Sequence, residues 1–272
     1  MAELGYTSAQ LPSRGVLNLD PESGESLMPD GLISIRKLTT REESVLLNQG
    51  ARGMERIEVL LKNCVKLPSA KLALDDLLLT DRLAILLSLR TITFGPKYAF
   101  TFRCQFCGNT SKANVDILED LDEMTPDVIG ERLYAAGKLD SPNDFKLVEP
   151  FDVLLPDAMK TVALRFLRGT DETRIMKRTK RMALKSNDPS DPSYIYRLAL
   201  QIVSVDGEEQ NIATTEMFVK NLTAGDSAQM RIAVDSMEPG IDMRVFPTCS
   251  GCGGENERVM PFDSEFFRPS DL

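Results

Sequence analysis

Residues 103–110, RCQFCGNT, and residues 247–254, PTCSGCGG, together hold four of the chain's five cysteines. In each stretch two cysteines stand three positions apart, and glycine follows the second one, Gly108 or Gly253. A turn of that length lets backbone amides point at sulfur, and the next residue takes a positive φ that glycine adopts without strain. Each pair follows an alternating, strand-like run (98–103 or 241–246) and precedes another (111–117 or 257–262). Two hairpins offering two thiolates each make a tetrahedral ribbon, so Cys104, Cys107, Cys249 and Cys252 are expected to hold a structural Zn2+. A thioredoxin-type pair needs a helix opening at its first cysteine, and neither stretch supplies one. An iron–sulfur centre, redox use and a degenerate site are the remaining readings.

The spacing is unusual. Ordinary ribbons separate their cysteine pairs by about 15–20 residues, whereas 141 residues lie between Cys107 and Cys249. If one metal joins both pairs, it closes a domain-sized loop, and a binding free energy of about 10 kcal/mol offsets the closure entropy. The rival is two separate two-cysteine sites completed by other subunits. Cys64 falls on an apolar stripe with Ile57, Leu60 and Leu61, which marks it as a core thiol rather than a fifth ligand.

The composition narrows the function. At 272 residues the chain can bury a substantial core. It has no histidine, which removes Ser-His-Asp and Cys-His nucleophiles, HExxH metal sites and histidine bases. A net charge of −9 argues against a general nucleic-acid binder. The N-terminus lacks a basic region followed by an apolar run, and no stretch reaches the roughly 20 apolar residues of a membrane span. A cytoplasmic protein, or a particle assembled in the cytoplasm, is the expectation. No Walker or dinucleotide loop appears.

The pattern along the chain predicts an α+β fold, mainly helical, with a split four-cysteine zinc-ribbon β element joining the middle of the chain to the C-terminus. Residues 1–39 read as an extended arm and strand, with GLISIRKL (31–38) alternating. Residues 40–96 read as helical, with Thr40 and Glu43 at capping-box spacing and Asp81 leading a helix that Gly95-Pro96 ends. Residues 97–117 form the first ribbon hairpin. Residues 118–240 form a helical insert with short strands: Thr125 caps a helix, 156–169 and 171–185 make a helical pair broken at Gly169, SNDPSDPS (186–193) is a linker, and RLALQIVSVDG (197–207) is strand-like. Short helices at 214–222 and 224–237 follow. Residues 241–272 are the second hairpin and an aromatic tail. The acidic pairs Glu42/Glu43 and Asp75/Asp76 sit at helix starts, where capping explains them better than acid–base chemistry.

Between 165 and 185 the chain holds Arg165, Arg168, Arg174, Lys177, Arg178, Lys180, Arg181 and Lys185 against only Asp171 and Glu172. A solvated helix face is the plain reading, docking to an acidic protein partner the functional one, and nucleic acid a third. Phe266 and Phe267 read as core or as an anchor for a partner, and both regions are taken as candidate partner contacts.

Several stretches also carry a resemblance: LPSRGVLN (11–18), ISIRKLTTREESVLL (33–47), LALDDLLLTDRLAILLSLRTITFGPKYAFTFRCQFCG (72–108), RLALQIVSVDG and FPTCSGCGGENERVMPFDSEFFRP (246–269). In this order the chain resembles the T-even-type phage baseplate hub subunit family, tail-assembly proteins of contractile-tailed phages. The likeness is weak between about 118 and 190. It implies a non-enzymatic structural component of a contractile tail baseplate in its hub region, assembled in the host cytoplasm and carried in the virion. The implied partners are other baseplate, hub and tail proteins, with the tape measure protein a further candidate, and several copies per particle. An assembly chaperone absent from the mature virion is the first alternative, and a zinc-ribbon nucleic-acid-binding accessory protein the second. The family supplies no catalytic residue, and the expectation of a metal rests on the cysteine spacing.

Overall fold

The computed structural model describes residues 5–47, 53–183, 191–262 and 266–267. The first core gathers around strands β1 (Thr7–Gln10), β2 (Leu32–Ile35) and β3 (Val65–Lys66), and helices α1 (Thr40–Leu47), α2 (Gly53–Cys64) and α3 (Leu79–Phe94). The period-2 pattern of β2 buries Ile33 and Ile35, and it pairs antiparallel with β1 and β3 in the order β1-β2-β3. On α2, Leu60, Leu61 and Cys64 are fully buried on one stripe, and burial pushes the Cys64 thiol up to about 11. Helix α3 is buried at Ala84, Ile85, Leu86, Leu87, Leu89 and Arg90, positions spread round the whole helix, so it runs through the protein rather than along its surface. Gly95 ends it at φ +88, its amide reaching Thr91 O at 2.9 Å.

The capping residues of α1 are Thr39 and Glu42, one position before the expected Thr40 and Glu43: the Thr39 amide and hydroxyl donate to Glu42 at 2.9 and 2.6 Å. Asp81 stands in the first turn of α3, as expected, and it has a second role. It is fully buried and accepts from the Ser13 amide (3.1 Å) and hydroxyl (2.6 Å), tying the N-terminal segment to α3.

Strands β4 (Lys97–Arg103) and β5 (Thr110–Asp116) form the expected hairpin, and β6 (Asp122–Met124) leads to α4 (Pro126–Ala135), which Thr125 caps. A second core begins here. Its sheet, ordered β10-β9-β8-β7, comprises β7 (Phe151–Leu155), β8 (Lys160–Leu164), β9 (Ile202–Val205) and β10 (Glu208–Glu209). Around it lie α5 (Gly169–Ala183), α6 (Pro192–Gln201), α7 (Ile212–Lys220) and α8 (Ala224–Met237). The expected helix over 156–169 is therefore a turn and a strand. Val162 and Leu164 are buried opposite Val153 and Phe151, with the buried Phe166 just beyond the strand, and β-branched and aromatic residues favour that pleated surface. Conversely, 197–201 is helical, capped by Asp191, whose carboxylate accepts from the Ser193 amide at 2.8 Å; only 202–205 is strand, ending at the Asp206-Gly207 turn. Residues 186–190 of the expected linker lie outside the described residues, as does Lys185.

Strand β11 (Gly240–Asp242) returns to pair with β6, Gly240 opposite Met124. The excursion from 125 to 239 thus leaves and re-enters the first half at one place. The two cores meet at the start of α3, where the Leu79 amide donates to Leu167 O (3.0 Å) and the Gly169 amide to Leu77 O (3.1 Å). Arg82, buried there, bonds Glu58 and pairs with Asp75 at 3.1 Å and Glu172 at 3.8 Å. A side chain at Gly169 would put its Cβ 2.6 Å from Arg82 Nη1, so the close crossing requires glycine. No helix among the described residues is long and apolar enough to cross a membrane.

Candidate metal centre

The second hairpin is short: β12 (Arg244–Val245) pairs with β13 (Arg258–Val259), and a bridge between Thr248 and Glu255 carries the pairing toward its tip. The tips of the two hairpins are built alike. The Gly108 amide donates to Cys104 O at 3.0 Å and the Gly253 amide to Cys249 O at 2.9 Å. The Cys104 amide donates to Asn109 O (2.8 Å) and the Cys249 amide to Gly254 O (2.9 Å). Both glycines have positive φ, 72° and 70°, the conformation that L-residues with a Cβ avoid. Amides also aim at sulfur: Phe106 N at Cys104 Sγ (3.4 Å) and Gly251 N at Cys249 Sγ (3.3 Å).

All four sulfurs lie within 4.8 Å of one another. Cys104 Sγ is 3.7 Å from Cys252 Sγ, and Cys107 Sγ is 3.7 Å from Cys249 Sγ. A disulfide would bring sulfurs to about 2.05 Å. Four sulfurs about 2.3 Å from a central zinc would instead stand roughly 3.8 Å apart at the corners of a tetrahedron. The contacts across the two hairpins have that second spacing. Cys104 and Cys249 are buried, while Cys107 and Cys252 are exposed with their sulfurs still in the cluster. The donor set therefore fits a single soft, tetrahedral divalent cation, and the rival of two separate sites does not describe this geometry.

Two residues that the sequence reading passed over brace the cluster. Ser111, on β5, holds Cys249 Sγ at 3.3 Å and accepts from the Ser250 amide at 3.2 Å. Asn256, fully buried, points Nδ2 at Cys104 Sγ (3.6 Å) while its Oδ1 accepts from the Gln105 amide (2.9 Å). Each hairpin thus supplies the polar support for the buried cysteine of the other, which fixes sulfur orientation as second-sphere groups do at metal sites. Both stand four positions after the second cysteine of their own pair, and that shared offset is the signal from which they could have been found.

The surroundings of the four thiols set them apart electrostatically. The Ser111 hydroxyl, then the amides of Cys252 and Gly251, lower the Cys249 thiol to about 6. The Cys107 amide leads the groups that lower Cys104. At Cys252 the Gly254 amide pulls downward, but the neighbouring Cys107 and Cys104 sulfurs and burial prevail and push it up to about 12. Thiols this close share their protons, and full ionisation needs a compensating positive charge. Among the basic residues near the cluster, Arg258 donates to Arg103 O at 2.7 Å and lies over the Phe102 ring at 5.8 Å, joining the hairpins a second time. Arg103 itself donates to Gly108 O at 3.2 Å, and Lys112 lies exposed on β5.

The other candidate residues separate into groups. Phe266 and Phe267 are not an outward anchor: they are buried, stacked edge-on at 5.1 Å, and Phe266 O accepts from the buried Arg90 Nε at 3.2 Å. Their apolar area is better spent in the first core, beside Tyr98 and Phe262. Arg165 is engaged by the buried Asp171 (2.7 Å), Arg168 by Glu149, and Arg178 by Glu216 (2.7 Å). Arg174, Lys177, Lys180 and Arg181 remain exposed on α5.

Two hairpins remote in sequence thus bring four cysteine sulfurs into one cluster that could hold a metal ion. The T4 bacteriophage base plate protein family model matches residues 22–268, and the chain belongs to that family. It is a T4-type phage baseplate protein, a structural component of the virion tail that works in contact with other tail and baseplate proteins. No curated protein and no solved structure matches the chain.

Proposed function

We propose that this protein is a non-enzymatic structural subunit of the hub region of a contractile-tail baseplate, present in several copies, whose fold is closed by one structural zinc ion. Cys104, Cys107, Cys249 and Cys252 would hold the ion. The observation that carries this is the sulfur geometry: edges of 3.7 Å between hairpins whose cysteines are 141 residues apart. When bound, the zinc supplies a cross-link and no open position for water or substrate. The chain's own residues then keep the second hairpin and Val245, Met260, Phe266 and Phe267 against the first core. Docking falls to the outer surfaces so held, the exposed basic side of α5 among them, with other hub proteins or the tape measure protein as neighbours. The net charge of −9 speaks against nucleic acid.

Elemental analysis of purified protein together with mass spectrometry of purified particles tests both halves. One zinc per chain and stoichiometric peptides in the particle are expected. A chain free of metal would overturn the centre, and its absence from finished particles would make it an assembly chaperone.

A further inference from the structure

We infer that copies of this chain associate head to tail, the basic outer side of α5 in one copy meeting the acidic turn and strand over 118–123 in the next. This deepens the proposed docking role and rests on α5 being a contact surface. Helix α5 spends its inward cations on internal carboxylates, as described above. Lys177, Lys180 and Arg181 are exposed, and among the described residues no carboxylate lies within ion-pair distance of them. Their spacing places them together on one side of the helix. Such a concentration of positive charge stands out on a protein of net charge −9.

The matching surface is on the same chain. Glu119, Asp120, Asp122 and Glu123 are exposed in the connection from β5 into β6, and Leu118 at its tip is 70% exposed. Asp122 and Glu123 also meet Arg132 at 3.6 Å and Arg14 at 3.4 Å at the solvent-exposed surface, so four carboxylates face two cations there. The basic side likewise carries an apolar residue, the exposed Met176. An apolar contact framed by opposite charges is the usual anatomy of a protein interface. Within one chain the two surfaces are on separate elements, and among the described residues no ion pair joins them. Because the two patches differ, the contact is heterologous, and repetition of it closes a ring or extends a filament.

The test uses the full chain in sedimentation velocity over a range of protein and salt concentrations. K177E/K180E/R181E and E119K/D122K should each weaken self-association by about tenfold or more, with the circular dichroism spectrum and Tm unchanged. An equimolar mixture of the two variants should associate again, since each then offers what the other lacks. Loss of association with rising salt is also expected. The inference is overturned if the unaltered chain stays monomeric, if the variants associate normally, or if their mixture does not recover. A monomeric chain whose K177E/K180E/R181E variant no longer enters particles would overturn self-association while leaving α5 as a docking face for another acidic protein.

Discussion

Replacing Cys249 by serine is the sharpest perturbation of this structure. Its sulfur is buried, 3.7 Å from Cys107 Sγ and 3.3 Å from Ser111 Oγ. Serine leaves three thiolates and removes the buried sulfur that Ser111 holds in place. Treated as a fixed cross-link, closing the 141 residues between Cys107 and Cys249 is worth about 5 kcal/mol of chain entropy. The apolar contacts of Val245, Met260, Phe266 and Phe267 still tether the segment, so the expected loss is about 3–5 kcal/mol. For a chain of this size that lowers Tm by roughly 10 °C. Hydrogen exchange read by mass spectrometry should show protection disappearing over 244–259 first, with β7 to β10 little changed. Zinc content should fall in parallel, and EDTA should reproduce the phenotype in the unaltered chain. Equal Tm and equal zinc in Cys249→Ser would refute the cross-brace.

Other outcomes follow from single contacts. Asn256→Ala strands the Gln105 amide and frees Cys104; a zinc-competition titration should find affinity about 10–100-fold lower. Glu42 is held down to about 2: burial alone would raise it, but its bonds to Arg36 and Thr39 prevail. Its stabilising contribution is complete above the unfolded value near 4.5 and lost as pH falls toward 2. Glu42→Gln should therefore flatten the acid limb of a urea-midpoint curve in that window, and an unchanged limb would rule the linkage out. Met159 sits at φ +52 and is 82% exposed in the turn before β8. Met159→Gly should raise stability by about 1 kcal/mol, because glycine removes the left-handed penalty and no burial is lost; a fall in the urea midpoint would contradict this.

The cysteine pairs were legible because their chemistry is local: residue type, spacing and a following glycine state the turn before any fold is known. Helix α3 and its Gly95 stop were legible for the same reason. The segment 156–169 was not. Val162, Leu164 and Phe166 satisfy a strand, yet Ala163 and Leu167 let the same run pass for one side of a helix, and only the facing strand β7 decides between them. Asp81 shows a related limit. Its place in the first turn of α3 was legible, but its bonds to Ser13, 68 residues earlier, were not, because no local pattern brings the two together. Phe266 and Phe267 were ambiguous because burial depends on Arg90 and Tyr98, which composition cannot place beside them.

The return of β11 to β6, followed by the second hairpin, also sets a timetable for synthesis. Residues 147–237 supply most of the second core, completed by Leu78 from earlier in the chain, so it can begin to pack while the chain is still emerging. The first core cannot finish, since Val245, Met260, Phe266 and Phe267 are part of it. At roughly 5–20 residues per second, Cys104 and Cys107 wait on the order of ten seconds for their partners. A nascent or truncated chain ending before residue 245 leaves the first core without Val245, Met260, Phe266 and Phe267, and leaves Cys104 and Cys107 without their partner sulfurs.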